Sequence, residues 1–156
     1  MPTVSCSAIV PATAEETFKF ISDYHNIPRL QTHFASAVLV GEKDHQPGAE
    51  VDLEGRFKGL PMKVRNRIVT YAPPFRMVSV SEGTVLSRNT WELEPLATDP
   101  PTTRVTFTVD YKMKGALGGL IMSLGRSLLD HDIEEMTNES LRRLGMFLSG
   151  RMPGGE

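Results

Sequence analysis

Apolar and polar residues alternate along most of the chain up to about residue 113, after which the rhythm changes to steps of three and four. Between Gly48 and Lys58, Val51, Leu53, Gly55 and Phe57 fall on one side, and Glu50, Asp52, Glu54 and Arg56 on the other. From Met62 to Tyr71 the pattern repeats, with Met62, Val64, Asn66 and Ile68 opposed to Lys63, Arg65 and Arg67. Period-two alternation with charge on one face predicts half-buried antiparallel strands. Acids on the first of these strands can face bases on the second, which suits the wet face of a hairpin. Further strands are predicted at Val4 to Val10, Ala37 to Glu42, Arg76 to Glu82, Thr84 to Glu94 and Thr103 to Met113, with Pro73-Pro74, Gly83 and Asp99-Pro100-Pro101 as turns. In the last strand Val105, Phe107, Val109 and Tyr111 share the inner face.

Two short helices interrupt the strands early. Pro11 ends the first strand, and Thr13-Ala14-Glu15-Glu16 has the spacing of a capping box, predicting a helix from about Ala14 to Ser22 with Phe18 and Ile21 buried. Asn26 is the expected cap of a second helix, with Pro28 tolerated in its first turn. From Ala116 to about Ser149 one long helix is predicted, with Met122, Leu129, Ile133, Met136, Ser140, Leu144 and Phe147 on one stripe. From Leu117 to Leu128 a second side is apolar too, through Leu117, Leu120, Ile121, Leu124 and Leu128. Packing within the monomer beneath the two short helices is the first expectation for that face; edging the cavity mouth or a homodimer contact are the alternatives.

The 156 residues fit one domain, expected over 1–150 with a disordered tail at 151–156. Forty per cent apolar and 23% charged residues support a packed interior, and a net charge of −2 gives no general reason to bind nucleic acid or an anionic membrane. The basic row Lys63, Arg65, Arg67 lies beside an acidic row and reads as a solvated hairpin. Cys6 stands alone and suits a reducing compartment; with no signal-like N-terminus, a cytoplasmic location is expected. The longest apolar stretch, around Ala116 to Leu124, is broken by glycines and is too short for stable membrane insertion.

One long helix is the main partner for the apolar strand faces. A curved sheet closing on it leaves space that two short helices cover only in part, so a pocket is expected from the element order itself. That order resembles the helix-grip fold of the START-like and birch-pollen-allergen superfamily. The text matches as well: Ile9-Val10-Pro11-Ala12 with Glu15-Glu16-Thr17-Phe18 and Asp23-Tyr24-His25-Asn26-Ile27-Pro28 is similar to the opening of its polyketide cyclase/dehydrase and lipid-transport-like group. Pro73-Pro74-Phe75-Arg76-Met77-Val78, Thr90-Trp91-Glu92-Leu93-Glu94-Pro95 and Gly115-Ala116-Leu117-Gly118 continue the match over nearly the whole chain. The resemblance implies an α+β fold, with about seven antiparallel strands around the C-terminal helix. It carries over no catalytic residue, because its matched positions are chiefly structural and its members include carriers, sensors, cyclases and hydroxylase subunits.

Phe57, Val64, Asn66, Ser87, Asn89, Trp91, Phe107, Val109, Tyr111, Met122, Leu129, Ile133 and Met136 are the expected cavity lining. Asn66, Ser87 and Asn89 break the apolar rows, and they either orient a ligand's polar end or bond to one another, to backbone or to water. Glu82 faces inward if Val78 and Val80 do, and outward if Met77, Ser79 and Ser81 do; the cost of a buried unpaired carboxylate favours outward. Asp130-His131-Asp132 looks metal-like, but adjacent helical residues diverge and cannot share an ion, so neither metal nor cofactor is expected. Three functions stay open: a small hydrophobic molecule (lipid, polyketide-like or aromatic metabolite) bound for carriage or sensing, a cyclase/aromatase-type enzyme using the same cavity, or an accessory interaction domain.

Overall fold

The computed structural model describes residues 2–113, 119 and 126–150. Seven strands form one antiparallel sheet: β1 (Thr3–Val10), β2 (Phe34–Val40), β3 (Glu50–Phe57), β4 (Leu60–Ala72), β5 (Arg76–Gly83), β6 (Val85–Leu96) and β7 (Thr102–Met113). Their spatial order is β1-β7-β6-β5-β4-β3-β2. Five successive hairpins thus run from β2 to β7, and β1 returns to pair with β7. Between β1 and β2 lie α1 (Ala14–Ser22), a 3-10 turn (Tyr24–Asn26) and α2 (Ile27–Leu30). The long helix α3 (Arg126–Leu148) packs across the sheet.

The strands follow their alternation. Asp52 pairs with Arg65, Glu54 with Lys63 and Glu50 with Arg67 on the outer face, while Leu53 opposes Val64 and Val51 opposes Asn66 inside. Arg65 donates from Nε to Asp52 Oδ1 at 2.7 Å and from a terminal nitrogen to Oδ2 at 3.1 Å. A bulge between Ile68 and Thr70 absorbs one residue, so that Ile68 opposes Ser79 and Tyr71 opposes Met77 on the same inner face.

α1 begins as its sequence predicts: the Thr13 hydroxyl accepts from the Glu16 amide at 3.1 Å and Glu16 reaches back to the Thr13 amide at 3.2 Å. Asn26 departs from expectation. Its side chain makes no cap bond to α2 but donates to the Phe20 carbonyl at 2.9 Å, tying the 3-10 turn to the end of α1. The second strand also starts earlier and ends earlier than predicted, at Phe34 and Val40, because its N-terminal end is drawn onto β3.

Of the predicted helical stripe, Leu129, Ile133, Ser140 and Leu144 are buried, and Met136 and Phe147 are half-buried. Trp91 and Phe107, paired across β6 and β7, stack with ring centroids 3.8 Å apart and planes within 5° of parallel. They share a packed cluster with Phe18 of α1 and with Leu141 and Leu144 of α3. Buried aromatics of this size carry a large share of a core's stability. The predicted beginning of the long helix at Ala116, Met122 and the apolar face from Leu117 to Leu128, expected to pack within the monomer or alternatively to meet a second copy, lie outside the described residues or, at the helix's first turn, outside the described side chains. Among the described residues no helix is long and apolar enough to cross a membrane.

Candidate functional site: the cavity between sheet and helix

A cavity of about 110 Å³ separates the inner face of the sheet from α3. Phe57, Asn66, Ser87, Asn89, Trp91, Phe107, Val109, Tyr111, Ile133 and Met136 line it, as do Met62, Met77, Ser79 and Ser81. Two expected lining residues do not. Val64 and Leu129 are buried in the cluster that also holds Leu53, Phe57 and Val85, but are not among the cavity's walls. Met122 lies outside the described residues.

Polar side chains gather on the sheet side. The Asn66 amide nitrogen donates to Ser79 Oγ at 3.0 Å and to Ser81 Oγ at 2.8 Å. The Asn89 amide nitrogen makes longer bonds to the same two oxygens, 3.5 Å each, and Asn89 Oδ1 accepts from the Ser87 hydroxyl at 3.3 Å. Register explains the convergence: Asn66 opposes Ser81, Ser79 opposes Asn89, and Ser81 opposes Ser87. Three adjacent strands thus bring five uncharged polar groups to one patch. Across the cavity the helix hydroxyls turn back on their own backbone, Thr137 to the Ile133 carbonyl at 2.7 Å and Ser140 to the Met136 carbonyl at 3.0 Å.

Ser79 and Ser81 enter because β5 presents Met77, Ser79 and Ser81 inward, which leaves Glu82 exposed. The strand's sequence does not reveal this by hydropathy, since Val78 on the other parity is also completely buried. The Tyr111 hydroxyl donates to Asp130 on α3. Asp132 instead meets Lys58, 2.5 Å away at the β3–β4 turn, and the exposed His131 lies 3.2 Å from Glu135. The Asp130-His131-Asp132 triplet therefore points three ways.

The mouth is built on Gly55. A Cβ there would lie 1.9 Å from the His33 carbonyl oxygen, so only glycine lets the loop before β2 lie against β3, where the Arg56 amide donates to that carbonyl at 2.9 Å. This close approach brings His33 to the cavity rim, a position sequence alone did not single out. Burial pushes its imidazole down to about 4, which keeps the ring uncharged at neutral pH. A groove of about 240 Å³ between Gln31–His33 and the α3 residues Glu135, Met136 and Glu139 adjoins the cavity at His33 and Met136.

This geometry is that of a helix-grip domain with a cavity beneath its long helix, and the chain belongs to the polyketide cyclase / dehydrase and lipid transport family, which it matches over residues 1–144. Solved structures agree in fold. The Zhui aromatase/cyclase from Streptomyces sp. R1128 superposes with a TM-score of 0.76 at 16% identity, covering 99% of both chains. A START superfamily protein from Mycobacterium smegmatis gives 0.67 at 16% identity, over 95% of this chain and 94% of that one. The di-domain aromatase/cyclase BexL of the BE-7585A biosynthetic pathway gives 0.68 at 19% identity, over 93% of this chain but 45% of its own length. No functionally curated protein matches the chain.

Proposed function

We propose that this protein binds a small hydrophobic molecule, a lipid, polyketide-like or aromatic metabolite, in the cavity between the sheet and α3, for carriage or sensing. The observation that carries the reading is the cavity itself. A concave space of about 110 Å³, walled mainly by apolar and aromatic side chains with a few convergent polar groups, is the form that small-molecule sites take. Its volume is on the scale of one aromatic ring or a short acyl segment. Met62, Met77 and Met136 in the wall give it room to adapt, since unbranched thioether chains reseat at low cost.

The test uses the chain's single tryptophan, whose indole N–H gives one resonance from the cavity wall. Titration with ethylbenzene should shift the Trp91 indole signal saturably. A Val109→Asp variant, confirmed folded by circular dichroism, should bind at least tenfold more weakly, because the carboxylate enters an apolar wall. No saturable shift in the wild type would contradict the reading.

A second reading, an enzyme of the cyclase/aromatase kind, is favoured by the polar patch and the Tyr111–Asp130 pair. A cavity that holds a flexible chain folded beside groups able to move protons has what such a reaction requires. Both readings need the same binding event first.

A further inference from the structure

The bonding on the sheet side of the cavity is incomplete in a specific way. Ser79 Oγ and Ser81 Oγ each accept from Asn66, and each accepts again, at longer range, from Asn89. A hydroxyl carries one proton as well as its lone pairs. Among the described residues, neither the Ser79 nor the Ser81 proton has an acceptor. Asn89 Oδ1, an acceptor in the same network, receives the Ser87 hydroxyl. Ser79 and Ser81 are nearly inaccessible, at 7% and 4%, so whatever meets their protons does so inside the cavity. The same arrangement fixes both hydroxyls, because one amide nitrogen holds both oxygens from the side of β4.

Charge narrows the partner further. The patch consists of two carboxamides and three hydroxyls, and no lysine or arginine lines the cavity among the described residues. The acid and imidazole that do reach the lining, Asp44 and His33, come from the loops around its mouth, and His33 is uncharged at neutral pH. A carboxylate or phosphate placed against Ser79 and Ser81 would be a buried anion with no counter-charge, which is costly, whereas a neutral oxygen needs only the two hydrogen bonds.

We infer that Ser79 and Ser81 form a paired donor site for the carbonyl oxygen of an uncharged ligand, a ketone, ester or amide whose apolar body lies toward Trp91 and Val109. The inference rests on the reading of the cavity as a binding site and adds the polar group that site selects. Asn66 is a positioning residue here. By donating to both serine oxygens it leaves their protons as the only free part of each hydroxyl and directs them away from β4.

The experiment compares ethylbenzene, acetophenone and benzoate, which share a ring and differ in the oxygen group, by chemical-shift titration at pH 7. The ketone should bind at least tenfold more tightly than ethylbenzene, and benzoate more weakly than the ketone by a similar factor. A Ser79→Ala/Ser81→Ala double variant should lower acetophenone affinity to that of ethylbenzene while leaving ethylbenzene unchanged. The Ser79→Thr/Ser81→Thr variant, which keeps both hydroxyls, should retain the ketone preference, so that a general loss of packing is told apart from loss of the donors. Ethylbenzene binding without any preference for the ketone, or a preference that survives in the alanine variant, overturns the paired-donor site while leaving the cavity's binding role intact. Failure of all three compounds to bind the wild type removes both.

Discussion

The two faces of the β3–β4–β5 sheet use polar residues in opposite ways. Outside, Asp52, Glu54 and Glu50 stand against Arg65, Lys63 and Arg67, full charges of opposite sign in water. Inside, on the same or adjacent strands, Asn66, Ser79 and Ser81 carry no charge and bond to one another. Solvent makes the outer pairs inexpensive and nearly interchangeable, since exposed ion pairs contribute little and salt screens them. The inner face tolerates polarity only where it is uncharged and hydrogen-bonded. Polarity alone therefore does not mark the site. What separates the patch from the scaffold is hydrogen-bonding capacity left over after the protein's own partners have been counted.

The contrast is tested most severely by putting a charge on the inner face. Asn66→Asp exchanges the amide donors to Ser79 and Ser81 for a carboxylate that can only accept from their hydroxyls, and sets a charge without a counter-ion in the cavity wall. At pH 7 urea unfolding should show a loss of roughly 2–4 kcal/mol. Burial raises the new carboxyl's folded pKa above its unfolded value, so the penalty should shrink as the pH is lowered and the group is neutralised. A loss no larger than that of an outer-face charge removal would mean that the cavity is effectively wet.

Asp52→Asn is the matching change outside and should have the smaller effect, under about 1 kcal/mol and less in high salt. Hydrogen bonding to Arg65 holds the Asp52 carboxyl below its ordinary value of 3.8. A depressed folded pKa means that its contribution is complete above the unfolded value and lost as the pH falls through the folded one. Wild type and Asp52→Asn should accordingly converge in stability in acid, below that 3.8 reference. A gap that widens there would show that the pair is not the source of the difference.

Much of this comparison is visible in the sequence. Strict alternation in Glu50–Phe57 and Met62–Ile68 places charge outside and Asn66 inside, and the register then follows from the short hairpin between them. Trp91, Phe107 and Tyr111 face inward for the same reason. β5 is where alternation loses its force: in Met77-Val78-Ser79-Val80 a valine is buried on the outward parity and the serines sit inside, so hydropathy alone gives no direction for them. His33 is hidden for a different reason. It reaches the rim through a backbone contact that depends on the absence of a side chain at Gly55, twenty-two residues away, and nothing local to His33 signals that approach. Val64 and Leu129 have the right pattern for the lining but lie in a buried cluster and not among the cavity's walls, a matter of three-dimensional packing that periodicity does not encode.

The most direct measurement follows the side-chain amide resonances of Asn66 and Asn89 in ¹⁵N-labelled protein during titration with acetophenone. If the inner patch receives the ligand, both amides shift saturably with a single dissociation constant shared by the Trp91 indole, while the guanidinium signal of Arg65 on the outer face stays in place. Saturable shifts confined to the outer face, with both amides and the indole unmoved, would contradict the account.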